Sequence, residues 1–223
     1  MAAPSLTLYH HPLASFCHKV LIALHENEVE FEGRIIDLGN PADRAELQAL
    51  WPLVKFPVLR DHARQRDVPE TSIIIEYLDR FHPGKNALIP ADWEDALQVR
   101  LWDRFFDQHV QGPMQQIVID RLRQANGDLS GERAALDTAY GMIERHMAGR
   151  TWVAGPGFSM ADCAAAPALF YASTLQPLPS GFAQLQAYFD RLMDRPSVRR
   201  VIDAAKPYFP MYPFAEAIPP RFR

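Results

Sequence analysis

The stretch Val54-Lys55-Phe56-Pro57-Val58-Leu59, followed by Glu70-Thr71-Ser72 at the head of an apolar segment, decides how this chain is read. Proline has no N–H to give to a ladder, so Pro57 belongs at an edge or at the first position of a strand, and it leaves the polar main chain of the residue before it free. A sheet edge of that kind can hold a peptide. Glu70-Thr71-Ser72 puts an acid and two hydroxyls into the first turn of a helix, where unpaired amide N–H groups and the positive end of the dipole favour a carboxylate. Together the two elements describe a site for a small anionic peptide.

Working outward, Leu6-Thr7-Leu8-Tyr9 reads as a strand that His10-His11-Pro12 ends. Phe16, Val20, Ala23 and Leu24 then recur at helical spacing, with Ser15 as the expected N-cap. Residues 31–37 form a second strand of weaker alternation, and Asn40-Pro41 opens a helix reaching Leu50, a cap followed by proline at the first helical position. A third strand starts at Pro57, a polar hairpin runs from Asp61 to Asp67, and a helix follows with Ile74, Tyr77, Leu78 and Phe81 on one face. Residues 1–83 are therefore expected to form a βαβαββα unit of α+β class, 84–91 a linker, and 92–223 an all-helical domain. In the latter, Leu97, Leu101 and Phe105, with Val99, Trp102 and Phe106 beside them, line a long helix that Gly112-Pro113 should kink or break. Residues 128–146, 158–171, 182–194 and 197–205 supply further helices, and 207–223 reads as an extended strap over the surface.

Composition narrows the function. The chain has 223 residues, is 48% hydrophobic and 22% charged, and carries a formal net charge of −4. No basic block appears, which argues against nucleic acid as a partner. No apolar run approaches the roughly 20 residues of a membrane span, and the start lacks the basic and apolar regions of a signal peptide. Two cysteines, Cys17 and Cys163, make neither a disulfide framework nor a metal cluster, so no metal is expected and a reducing cytoplasm is.

Three motifs, taken in order, make the chain resemble the glutathione transferase family along nearly its whole length. Lys55-Phe56-Pro57-Val58-Leu59 is similar to the family's strand entered by a cis proline, an isomer otherwise found at about 5% of X–Pro bonds. Glu70-Thr71-Ser72-Ile73-Ile74-Ile75-Glu76-Tyr77-Leu78 resembles the family's Glu-Ser helix start, with Thr71 where serine is usual. Gly157-Phe158-Ser159-Met160-Ala161-Asp162 is similar to the capping box of the family's central C-terminal helix. That box also has a reading from the residues themselves: Ser159 and Asp162 satisfy each other's orphan amides, and alanine at either should cost about 1 kcal/mol or more.

The resemblance implies a thioredoxin-like first domain, a helical second domain, and a cytoplasmic homodimer that uses glutathione as co-substrate in detoxifying small hydrophobic electrophiles. The glutathione cysteinyl main chain would pair with Phe56 beside Pro57, the γ-glutamyl carboxylate would rest on Thr71, its ammonium on Glu70, and the glycyl end on Lys55, with Asn40 a weaker neighbour. Without the motif, Thr71 reads as a cap and Lys55 as a solvated lysine. Only the thiolate is nucleophilic, so a group must stabilise it. Ser15 is the first candidate, as a hydroxyl at a helix N-terminus, and Cys17 and His11 are the alternatives. Counting back from Lys19-Val20, the family's usual serine falls on Ala14. Phe105, Phe106, His109 and Met114 are candidates for the electrophile pocket, with Tyr208 and Phe209 from the tail. Two other outcomes remain open: a glutathione-dependent isomerase, dehalogenase or thiol reductase using Cys17, and a non-catalytic binding or assembly module of the same fold.

Overall fold

The computed structural model describes residues 5–223. They divide between Leu88 and Ile89 into two compact units.

The first unit runs β1 (Leu6–His10), α1 (Ser15–Glu26), β2 (Glu32–Ile35), α2 (Pro41–Leu50), β3 (Val58–Asp61), β4 (Arg66–Pro69), α3 (Thr71–Phe81). Its sheet has the order β2-β1-β3-β4. β1 lies parallel to β2, with Leu8 opposite Gly33, and antiparallel to β3, with Leu8 opposite Leu59. β3 and β4 form an antiparallel hairpin with Leu59 opposite Val68. Leu6, Leu8, Leu59, Val20, Leu24, Ile74 and Leu78 are buried, and α1 packs against α3. Tyr9 alternates to the opposite face of β1, where it joins Ile36, Leu47 and Val58 in a cluster beneath α2. The two middle strands are thus covered on both faces, and most of their residues, the polar Thr7 and Asp61 included, are buried.

Local chemistry sets the boundaries. Asn40 caps α2 by accepting from the N–H groups of Ala42 and Asp43 at 2.9 and 3.4 Å, with Pro41 behind it. β3 begins at Val58 rather than Pro57, because the ladder needs an N–H that Pro57 lacks. The expected cap of α1 is corrected: Ala14 is the N-cap residue and Ser15 the first helical one. The first unit also extends further than expected. A Cβ on Gly84 would lie 2.2 Å from that of Asn27, so the chain passes there only as glycine, and the Asn86 N–H then donates to Asn27 Oδ1 at 3.2 Å. Residues 84–88 therefore belong to this unit instead of forming a linker.

The second unit contains α4 (Trp93–Phe105), a π-turn (Phe106–Gln111), α5 (Gly112–Arg123), α6 (Ser130–His146), α7 (Met160–Leu175), α8 (Ala183–Asp194) and α9 (Pro196–Ala205). The break expected at Gly112-Pro113 is a widening just upstream. Pro113 cannot bond to the carbonyl four residues back and its ring crowds it, and the π-turn provides the room. α7 is the centre: every residue except Ser173 is buried, so it shows no amphipathic period. The tail is a series of 3₁₀ turns at 206–211, 215–217 and 220–222, not an extended strap. Phe209 and Phe222 anchor it against Phe170, at ring distances of 6.2 and 5.3 Å.

The capping box of α7 forms, and its acid does more than cap. Asp162, fully buried, accepts from the Ser159 N–H and hydroxyl at 2.9 Å each, from the Val153 N–H at 3.2 Å and from the Tyr188 hydroxyl of α8 at 2.7 Å. Burial raises its pKa, and the four donors pull against that rise. Asp162→Ala would orphan three buried donors beyond the cap itself, so its expected cost is about 3 kcal/mol or more, well above the roughly 1 kcal/mol of Ser159→Ala. Chemical unfolding of the two variants checks the difference, and equal losses would show that Asp162 acts as a cap alone.

In the first unit the buried His18 donates its Nε2–H to the Pro12 carbonyl at 2.5 Å, and burial pushes its pKa down to about 4. The folded chain therefore holds this ring neutral between about pH 4 and the ordinary value of 6.5, where the unfolded chain binds a proton. Stability should be complete above that range and fall as the pH drops through it, by roughly 1 kcal/mol per pH unit per histidine. His10, also pushed down to about 4 by burial, acts in the same direction. Urea unfolding between pH 7.5 and 4.5 reads the slope, which His18→Asn should reduce.

Candidate functional site

Three segments of the first unit carry the residues singled out from the sequence: the β1–α1 loop, the loop before β3, and the N-terminus of α3. The Phe56–Pro57 bond is cis, Pro57 is buried, and the ladder register starts at Val58, so the main chain of Phe56 stands outside it. Lys55 is exposed and, among the described residues, forms no ion pair.

The β1–α1 loop is tied down on both sides. The Ala14 N–H donates to the His11 carbonyl at 3.0 Å, and His18 holds Pro12 from below. The His11 ring stacks on Phe56 at 6.0 Å and 19°, and its Nδ1 accepts the Leu13 N–H at 3.2 Å. A neutral ring accepting at Nδ1 carries its proton on Nε2, which makes Nε2–H a donor. Burial lowers the His11 pKa, opposed by Asp37, and this favours that neutral form. Ser15 is buried at the first position of α1, and among the described residues its hydroxyl makes no hydrogen bond. Cys17 is corrected as a reactive candidate. It is completely buried two residues further along α1, and desolvation pushes its thiol up to about 12, which disfavours the thiolate.

α3 begins under backbone constraint. Glu70 caps it with φ 69° and ψ 119°, a conformation that non-glycine residues rarely adopt and that costs on the order of 1–3 kcal/mol. Thr71 is buried behind it, with its own N–H among the unpaired amides of the first turn. Ser72 is committed elsewhere, accepting at 3.0 Å from Nζ of the completely buried Lys19. Sequence reasoning passed over that lysine. Its signal was a cation directly before the apolar run from Val20 to Leu24.

The electrophile-pocket candidates separate in the second unit. Phe105 and His109, with rings 5.6 Å apart, line a cavity of about 550 Å³ together with Leu101, Arg104 and Met142. Phe106 and Met114 are corrected: at 0% and 3% exposure they belong to the core and do not line that cavity. Phe209 is likewise core, whereas Asn40 is committed to capping α2. Among the described residues, no group of three or more His, Cys, Asp or Glu side chains is placed to hold a metal ion, and no helix is long and apolar enough to cross a membrane.

Residues 8–86 match the model of the glutathione S-transferase N-terminal domain, and residues 114–191 match that of the C-terminal domain. The chain is 31% identical over 161 residues to the glutathione S-transferase-like protein LUC7 of Fusarium sp, covering 69% of this chain and 71% of that one. It is 30% identical over 208 residues to FtsZ-localized protein A of Caulobacter vibrioides, covering 88% and 90%. A glutathione S-transferase of Methylobacterium radiotolerans, solved in complex with glutathione sulfonate, superposes with a TM-score of 0.77 over 88% of this chain and 93% of that one, at 26% identity. The two domain models match in order, and a relative at 30% identity spans nearly the full length: the chain belongs to the glutathione transferase family.

Proposed function

We propose that the chain binds glutathione along Phe56 and Glu70-Thr71 and holds its sulfur as a thiolate that attacks small apolar electrophiles. The observation that carries this reading is the constrained Glu70 at the head of α3, since such backbone strain accumulates where a ligand is gripped. The γ-glutamyl carboxylate meets the Thr71 N–H and hydroxyl, and Glu70 takes the ammonium by a charge-assisted hydrogen bond. The cysteinyl N–H and C=O pair with the main chain of Phe56, and Lys55 neutralises the glycyl carboxylate. This places the sulfur near the start of α1, where the helix dipole, the Ser15 hydroxyl and the His11 Nε2–H favour a negative charge. The thiol proton leaves to solvent, the thiolate forms the new carbon–sulfur bond, and the electrophile releases its leaving group or takes up a proton. Within the second unit, the cavity lined by Leu101, Phe105 and Met142 offers apolar surface to a small apolar molecule. Exposed Trp93 and Leu97, one turn apart on α4, fit association into a homodimer.

A second reading keeps glutathione binding without turnover, as an assembly module. Ala14 favours it, because the residue at the N-cap of α1 offers no hydroxyl to a sulfur.

Ultraviolet titration of bound glutathione separates the two readings. Transferase function predicts a thiol pKa below that of free glutathione, raised by about one unit in Ser15→Ala with roughly tenfold lower kcat/KM and little change in glutathione affinity. Glu70→Gln should weaken glutathione binding about tenfold or more while leaving the pKa of the bound thiol in place. Binding with an unshifted thiol identifies the assembly module, and no binding at millimolar glutathione overturns both. Light scattering of the full chain should give the mass of a dimer.

A further inference from the structure

A second concavity, of about 490 Å³, opens where α5 ends, α6 begins and the tail crosses them. Ile117, Leu129 and Phe214 give it an apolar floor, and Asp120, Arg121 and Arg133 its charge. The turn that closes α5 is built around Asp120, which accepts from the Ala125 N–H at its carbonyl (3.0 Å) and from the Gly127 N–H at Oδ1 (2.9 Å). Gln124 and Asn126, at φ 53° and 52°, carry the chain around the rim.

Both arginines are held in place without being neutralised. Arg133 donates from Nη1 to the Leu175 carbonyl at 2.6 Å and to Gln176 Oε1 at 3.2 Å, both neutral acceptors at the end of α7. Arg121 lies over the Phe214 ring at 5.5 Å. That ring is fixed through the tail, where Tyr212 shares a 2.8 Å hydrogen bond with Thr174 and packs 6.0 Å from Phe214. Among the described residues neither guanidinium forms an ion pair. Its lining thus carries two guanidinium groups and one carboxylate, Asp120.

These groups define a ligand. An oriented guanidinium fork matches a phosphate oxygen pair, the Phe214–Arg121 stack receives a flat ring, and the second Asp120 oxygen is able to accept from a hydroxyl or N–H donor. Gln124 and Asn126 add neutral donors and acceptors at the rim. We infer that this concavity is a binding site for a nucleoside monophosphate, with phosphate on Arg133, base against Phe214 and Arg121, and a ribose hydroxyl or exocyclic amine on Asp120. The site is independent of the glutathione reading, because every residue in it lies in the second unit.

Calorimetry on the full chain with AMP, GMP, CMP and UMP tests it, with adenosine and inorganic phosphate as the two halves of the ligand. At least one nucleotide should bind with 1:1 stoichiometry, and each half should bind about tenfold or more weakly, since each forfeits one set of contacts. Arg133→Gln and Arg121→Gln, both at exposed positions, should each weaken the nucleotide about tenfold while leaving glutathione affinity unchanged, and Arg121→Gln should also leave thermal unfolding unchanged. The inference is overturned if no nucleotide binds below about 5 mM, a free energy weaker than about −3 kcal/mol. It is also overturned if both variants bind as the parent does, if phosphate alone binds as tightly as the nucleotide, or if glutathione displaces the nucleotide. Failure of the nucleotides to bind, or parent-like binding by both variants, leaves the glutathione reading untouched, because those arms contain no glutathione.

Discussion

A missing amide hydrogen organises the first unit. Residue 57 is proline, so the sheet's third strand can start only at Val58, and the backbone just before it is left polar and outside the ladder. Everything on that side of the sheet arranges around this gap. His11 stacks on Phe56, the β1–α1 loop is fastened by His18 from beneath, and the start of α1 comes to rest beside the loop. A position that gives up a ladder bond thereby gains a face for recognition.

The second constraint is electrostatic. The first unit keeps several ionisable groups in its interior, and it does so in the forms that burial tolerates. His10 and His18 stay neutral, Cys17 stays a thiol, and the ammonium of Lys19 is hydrogen-bonded to Ser72. Asp61 is the contrasting case. Burial would raise its pKa, but hydrogen bonds from His82, the Arg64 N–H and the Tyr77 hydroxyl outweigh it, and the carboxylate is held below its ordinary value. The helical unit uses the same device at Asp162, where one buried carboxylate joins the segment before α7, α7 itself and α8. Substituting such a group affects several elements at once, which is why a single acid outweighs an ordinary cap.

Both units place their charged side chains with economy. Arg34 bridges Asp43 and Glu46, and Arg104 engages Asp103 and Asp107, so these cations are neutralised where they stand. Arg121 and Arg133, beside the end of α5, are oriented instead by an aromatic ring and by neutral acceptors, as Arg191 and Arg223 are by main-chain carbonyls.

Sequence alone determined the features whose causes are local. Proline at 57 fixed a strand start to within one residue, Asn40-Pro41 the head of α2, and Ser159 with Asp162 the head of α7, because a missing donor or a side-chain cap acts within one turn of chain. The order of elements in the first unit followed from the same punctuation. What the tertiary structure decided depended on neighbours far away in sequence. The close approach of Gly84 to Asn27 carried the first unit on to Leu88, and the packing of α7 against its surroundings buried Phe106 and Met114, which the family resemblance had put among the pocket candidates. The length of the β1–α1 loop gave the N-cap to Ala14 and the first helical position to Ser15. The depth of Cys17 and Lys19 was likewise invisible in composition, since burial belongs to the packed chain and not to the residue type.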